Sequence, residues 1–166
     1  KGPLRSEIYK NSFEVLRNDP QITTFANMVR SRCTPEVLDP VKKDLQGKSD
    51  FESYCTLIQN RLDLETRFKI LEFALSDSVL KNIIPYFGLV PRLNTIILLY
   101  NIAKPELGEV GSKMWHQDDG YYKSLSYFIN VSDVDDESGP FHAYPQSSTD
   151  RHNVIPLEGV DRRLSP

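Results

Sequence analysis

The stretch that decides the fold runs from residue 115 to residue 147 and reads WHQDDGYYKSLSYFINVSDVDDESGPFHAYPQS. Within it, His116 and Asp118 are two residues apart, so on an extended strand both side chains leave the same face and can meet one metal ion. Two histidines and one carboxylate form the facial triad of non-haem Fe(II) oxygenases, which leaves positions open for a co-substrate and oxygen. The pair is therefore two thirds of such a site.

The residues after this pair are typical of a hairpin. Every second residue from 124 to 131 is apolar between smaller or more polar neighbours, the apolar set being Leu125, Tyr127, Ile129 and Val131. This alternation predicts a half-buried strand. Residues 132–140 supply an acidic turn, and 141–145 predict a second strand. A hairpin is therefore expected directly after the ligand pair.

The run resembles the phytanoyl-CoA dioxygenase-like branch of the Fe(II)/2-oxoglutarate oxygenases over about residues 93 to 148. Four elements in order carry the resemblance: Trp115-His116-Gln117-Asp118, Ser132-Asp133-Val134, Gly139-Pro140 and Pro145-Gln146-Ser147-Ser148. The last element departs from the family pattern, because Gln146 stands where glycine is usual and Ser148 where histidine is usual. That histidine is not a metal ligand in the family, so its loss does not threaten the site.

The resemblance implies an α+β fold in which a double-stranded β-helix, a jelly-roll-like sandwich of two sheets, holds the metal at its mouth. We expect residues 1–166 to belong to a single oxygenase domain. Its N-terminal part over 6–81 would be helical and would pack on one sheet, and its β-helix core strands would lie in 92–166, with strands over 94–101 and 124–131. The C-terminal part of the β-helix is expected to lie beyond the sequence.

The activity that the resemblance implies is hydroxylation of a small organic substrate, with Fe(II), 2-oxoglutarate as co-substrate and molecular oxygen. Halogenating relatives replace the carboxylate ligand with a small residue, so Asp118 favours hydroxylation. Lys123 and Tyr100 are candidates for binding the co-substrate, although a solvated lysine and a core tyrosine are the plainer interpretations. Trp115 and His142 are candidates for the substrate side of the site, or for packing and a structural role.

The third metal ligand is not identified by the sequence. The remaining histidines are His142 and His152, and the distal histidine of a double-stranded β-helix should follow the first pair by about forty to sixty residues. His142 is too early, and His152 lies 36 residues after His116, at the short edge of this range. The family's distal histidine and the arginine that binds the far carboxylate of the keto acid have no match before Pro166.

Three hypotheses from different classes remain. The first is the Fe(II)/2-oxoglutarate oxygenase. The second is a non-catalytic metal- or ligand-binding domain on the same fold, which is favoured if the distal histidine and arginine are absent. The third is a mostly helical interaction protein in which the His-Gln-Asp run is accidental.

The amino-acid composition narrows the classes of protein to which the chain can belong. With 39% apolar and 26% charged residues, the chain is ordinary for a globular domain. Its formal charge of −3 and its lack of a basic stripe exclude a nucleic-acid partner. The longest apolar run, over 95–100, is too short to span a membrane. Cys33 and Cys55 have no metal-binding spacing and are predicted as free thiols in helices, which favours a reducing, cytoplasmic location.

Helical spacing of apolar residues extends from residue 6 to residue 81. Thr34 followed by Pro35 has the form that opens a helix, and Pro40 is expected to end or kink it quickly. A long helical segment is predicted from near Phe51 to Leu75, with Ser49-Asp50 as its start. Asp77 predicts the start of a further helix.

Overall fold

The computed structural model describes residues 15–16, 19–48, 54–104, 124–135, 138 and 140–142. Helix α1 spans Pro20–Arg32 and α2 spans Pro35–Gln46. A short strand, β1 (Cys55–Leu57), and a 3₁₀ turn (Gln59–Arg61) follow. Helices α3 (Leu64–Ala74) and α4 (Asp77–Phe87) come next, and strand β2 (Leu99–Asn101) pairs antiparallel with β1. None of the helices in these ranges is long and apolar enough to cross a membrane.

Local capping signals set where the helices begin and end. The Asp19 carboxylate accepts hydrogen bonds from the backbone N–H groups of Gln21 at 2.9 Å and Ile22 at 3.3 Å, which satisfies donors that the first turn of α1 leaves open. Helix α4 begins at Asp77, as predicted. It ends at Gly88, whose φ of 77° lies in the left-handed region that favours glycine.

Helix α2 corrects the expectation for Pro40. The helix begins at Pro35 as predicted but continues through Pro40 to Gln46. An interior proline costs a helix about 3 kcal/mol or more. Val41 and Leu45 follow Pro40 and are 0% and 1% exposed, and burying each such side chain stabilises the fold by about 1.5 to 3 kcal/mol. Their burial is large enough to offset the proline, so the helix extends.

The long helix predicted from near Phe51 is also wrong. Residues 55–57 form β1, and a new helix begins only at Leu64. The ribbon of β1 and β2 aligns Thr56 with Tyr100, and its pairing is extended by the Ile58 N–H, which donates to the Leu98 carbonyl at 2.9 Å. The strand that pairs with β1 is far away in the sequence. The periodicity of apolar residues near β1 therefore gives no sign of this pairing. Cys55 accordingly lies in a strand, not in a helix, and both cysteines are free thiols.

Burial alternates along the chain that leads into β2. From residue 96 to residue 102 every second side chain is partly buried, the inward set being Ile96, Leu98, Tyr100 and Ile102. Burial therefore alternates with a period of two residues over most of the strand expected at 94–101. Regular pairing with β1 is restricted to residues 99–101. The inward side chains pack against two apolar clusters that the helices help to form.

The two clusters connect the helices to the ribbon. Val29, Leu62 and Ile70 form the first cluster, and Val41, Leu45 and Ile58 form the second. Cys33 and Leu98 contact both clusters. Partial burial raises the pKa of the Cys33 thiol, which disfavours the reactive thiolate. Cys33 is therefore an apolar filler between the clusters, in agreement with the sequence interpretation of its side chain.

We expect Asp63→Asn to reduce the acid sensitivity of folding. Asp63 caps α3 by accepting hydrogen bonds from the Thr66 hydroxyl at 2.7 Å and the Thr66 N–H at 2.8 Å. These bonds hold the pKa of the Asp63 carboxyl below its ordinary value of 3.8. Because the folded pKa is the lower one, the stabilisation is present above about pH 3.8 and is lost as the pH falls through the folded pKa.

The measurement for Asp63→Asn is urea unfolding between about pH 5 and about pH 2. The unfolding midpoint of the variant should fall less steeply with acid than that of the unmodified protein. Asparagine remains a good helix cap, so the variant should fold. Equal slopes for the two proteins would contradict the assignment of acid sensitivity to this cap.

Candidate functional site

The residues that the sequence singles out divide into two groups. Trp115, His116, Asp118 and Lys123 lie outside the residues that the structure describes. Tyr100 and His142 are described. The geometry of the candidate site therefore rests on the segments that follow the His116-Asp118 pair in the chain.

Tyr100 lies in the middle of β2, where its side chain points toward the helices. It is partly buried and packs against the cluster of Val41, Leu45 and Ile58. This contact gives the ring a packing role, the plainer of the two interpretations drawn from the sequence. Co-substrate binding by its hydroxyl stays a prediction.

The segment 124–131 alternates in burial as predicted, with its four apolar inward positions partly buried and the residues between them exposed. Two contacts show what its inward side faces. Val131 packs against the cluster of Val29, Leu62 and Ile70. The buried Asn82 on α4 donates through Nδ2 to the Tyr127 hydroxyl at 3.5 Å. The segment therefore lies with its inward side on the helices.

The chain folds back on itself after this segment. The rings of Phe128 and Phe141 stack with centroids 4.8 Å apart and planes inclined by 27°. In the turn between them, the Ser138 N–H donates to the Asp135 carboxylate at 2.8 Å and to the Asp135 carbonyl at 3.1 Å. A local bond of this kind from an aspartate side chain is a common way to stabilise a turn. Residues 128 and 141 thus lie side by side, but residues 124–131 do not form a regular strand, and the predicted pairing of two strands stays a prediction.

The two stacked rings lie on the outward side of this hairpin. Phe128 is 66% exposed and Phe141 is 70% exposed. His142 directly follows Phe141 and is also exposed. The outward side of β2 is similar, since Leu57 and Leu99 face each other across the ribbon with both side chains exposed. The ribbon and the segment 124–131 thus place one side against the helices, and their other side carries exposed apolar side chains such as Phe128 and Leu99 beside polar ones such as Ser126 and Asn130.

An arginine joins the turn of the hairpin to α1. The Arg30 Nε donates to the Val131 carbonyl at 2.7 Å, and its guanidinium contacts the Asp133 carboxylate at 3.3 Å. Asp133 is fully exposed, so this ion pair contributes little to stability. The hydrogen bond to the carbonyl fixes the position of residue 131 against the helix. Arg30 therefore positions the end of the segment that follows the candidate ligand pair.

Sequence reasoning missed Arg30 and Asn82 as positioning residues. Arg30 contacts a carbonyl 101 residues later in the chain, and Asn82 contacts Tyr127 45 residues later. The sequence signal in each case is an ordinary polar residue on a helix, which is more often solvated than bound to a distant segment. The contact becomes apparent only when the helices and the hairpin are placed together.

Within the described ranges, no group of three or more histidine, cysteine or acidic side chains is arranged to hold a metal ion. Comparisons of the chain with protein-family models, curated proteins and solved structures found no match. The assignment of a function therefore depends on the chemistry of His116 and Asp118 and on the hairpin that follows them.

Proposed function

We propose that the protein is an Fe(II)/2-oxoglutarate-dependent oxygenase that hydroxylates a small organic substrate. One observation carries the proposal: the sequence Trp115-His116-Gln117-Asp118 is followed by a segment with alternating burial, after which the Phe141 ring stacks back on Phe128. In the family that this run resembles, the same order places a histidine and a carboxylate on one strand at the mouth of a double-stranded β-helix.

The difference between the helix-facing side and the outward side of the ribbon and of the segment 124–131 supports this proposal. A sheet in a sandwich needs apolar side chains on the side that meets the second sheet. The outward apolar side chains of the hairpin and the ribbon, among them Phe128 and Leu99, are what such a sheet would present. The helices cover the opposite side through Val131 and Tyr100. An exposed apolar surface of this kind calls for a partner layer.

The donor set suits ferrous iron. A neutral imidazole nitrogen from His116 and a carboxylate oxygen from Asp118 are two of the three protein ligands in the facial arrangement, and they leave a divalent ion with residual positive charge. That charge attracts the carboxylate and carbonyl oxygens of a keto acid. Bound iron would supply the coupling of 2-oxoglutarate decarboxylation to the oxidation of a C–H bond, while the protein orients the substrate.

The remaining site predictions follow from the same proposal. Lys123 would place an ammonium group near a carboxylate of the co-substrate or substrate, and Trp115 and His142 would lie on the substrate side. These residues stay predictions. The class of substrate is a small organic molecule whose C–H bond is held next to the metal.

Metal binding tests the proposal directly. The metal-free protein should bind one Fe(II) per chain under anaerobic conditions, or Mn(II) as a redox-stable substitute. Asp118→Ala should weaken this binding at least about 100-fold, because it removes a charged ligand from the metal. Isothermal titration of Mn(II) into each protein gives the affinity and the stoichiometry.

The chain offers a matched control beside the ligand. Asp119 is the same residue type one position later, and on an extended strand its side chain leaves the opposite face. Asp119→Ala should therefore bind the metal as the unmodified protein does. If Asp118→Ala and Asp119→Ala weaken binding equally, or if neither does, the assignment of the ligand pair is wrong. Circular dichroism of each variant establishes that it is folded.

A further inference from the structure

Helix α3 presents an apolar stripe on its exposed side. The stripe has the alternating spacing of four, three and four residues that keeps side chains on one face of a helix. It consists of Leu64, Phe68 and Leu71 in α3 and of Leu75, the residue that caps its C-terminus. All four side chains are exposed, Phe68 to 55%. The opposite side of the helix buries Thr66 and Ile70 in the protein. The stripe is therefore separate from the face that holds α3 in the fold.

Charged residues of opposite sign flank the stripe. In heptad terms, Leu64 and Leu71 occupy d positions, and Phe68 and Leu75 occupy a positions. Arg67 then falls at a g position on one flank, and Glu72 falls at an e position on the other. Both side chains are exposed, and neither joins an ion pair with another described residue. The two charges are available to a partner helix.

The order of these charges selects one kind of partner and one orientation. When two copies of α3 run parallel, each g position faces the e position five residues later on the other copy, so Arg67 meets Glu72 of the second copy twice in a two-fold pair. In an antiparallel pair, e faces e and g faces g, which would bring acid to acid and base to base. Like charges placed together disfavour that arrangement.

We propose that two copies of this chain associate through parallel pairing of the α3 stripes. The interface is isologous, since the same four apolar side chains and the same charge pair serve both copies. A helix of 11 residues is about 16 Å long, and its stripe covers less than the about 800 Å² per partner of a standard stable interface. The dimer is therefore weak and depends on protein concentration.

Sedimentation velocity of the full chain between about 1 and about 200 μM tests the proposal. The sedimentation coefficient should rise with concentration from that of a monomer toward that of a dimer. Phe68→Glu should raise the dissociation constant at least about tenfold, because it places a charge in the middle of each apolar stripe. The matched control is Val90→Glu, at a position that is 70% exposed and lies outside α3 in the chain, which should leave the dissociation constant unchanged.

A charge exchange tests the orientation. Arg67→Glu alone should weaken association several-fold, because it sets two acids against each other on both sides of the two-fold pair. Combining Arg67→Glu with Glu72→Arg should restore the original dissociation constant to within about twofold, since each new acid again faces a base. A protein that is monomeric at every concentration overturns the proposal. So does a dimer that is insensitive to Phe68→Glu, or a double variant that stays as weak as the single one.

Discussion

Replacing Leu45 with alanine should lower the free energy of unfolding by about 3 kcal/mol, because leucine-to-alanine changes at fully buried sites cost about 2 to 5 kcal/mol. Leu45 is 1% exposed and forms one cluster with Val41 and Ile58. Tyr100 and Leu98 of the ribbon pack against the same cluster, so the cavity would open between α2 and the ribbon. Urea unfolding monitored by circular dichroism measures the change.

Leu89→Ala is the matched control for this prediction. Leu89 is 64% exposed, and removing its methyl groups creates no cavity, so the change in unfolding free energy should stay within about 0.5 kcal/mol. A loss below about 1 kcal/mol for Leu45→Ala would mean that this cluster is not a close-packed core. The two variants remove the same atoms, so the comparison isolates burial.

Helix starts with local signals could be predicted from the sequence. Helix α2 begins at Pro35 and helix α4 begins at Asp77, because a first-turn proline in α2 and a first-turn carboxylate in α4 favour a helix start through local geometry and charge. Pro40 shows where such local reasoning fails. Its penalty is local, but the burial of Val41 and Leu45 that offsets it comes from contacts with other elements.

The region around β1 could not be predicted for a related reason. Cys55, Leu57 and Ile58 fit helical spacing with the apolar residues that follow them, and no residue between them breaks a helix. Their strand conformation comes from pairing with 99–101, a partner more than 40 residues later. The partner itself is predicted as a strand over 94–101, and burial alternates along residues 96–102.

For the candidate site too, local patterns could be predicted from the sequence and tertiary contacts could not. The His116-Asp118 spacing and the hairpin after it are local patterns and are visible in the sequence. The attachment of that hairpin to α1 by Arg30 and to α4 by Asn82 is tertiary and is visible only in the structure. Both attachments act on residues 127–131, which begin nine residues after Asp118. Attachment of this segment to the helices would suit the proposed metal site, because ligand geometry requires fixed backbone positions.

The largest functional effect we expect is on 2-oxoglutarate turnover. With Fe(II), ascorbate and a suitable substrate, the protein should convert 2-oxoglutarate to succinate, and Asp118→Ala should reduce the rate more than about 100-fold because the iron is no longer held. Removing iron with a chelator should have the same effect. Asp119→Ala should retain the rate to within about twofold, since on an extended strand neighbouring side chains would leave opposite faces.

In an Fe(II)/2-oxoglutarate oxygenase, turnover without the right substrate is slow, so binding of 2-oxoglutarate must be measured beside succinate formation. Calorimetry of the Mn(II)-loaded protein should show 2-oxoglutarate binding that requires the metal, because the co-substrate binds through the open positions that the facial arrangement leaves. Metal binding through His116 and Asp118 without any keto-acid binding would identify a non-catalytic metal-binding domain on this fold. Absence of both would make the His-Gln-Asp run accidental and would leave an interaction protein, whose helices and apolar outward surfaces would then carry its function.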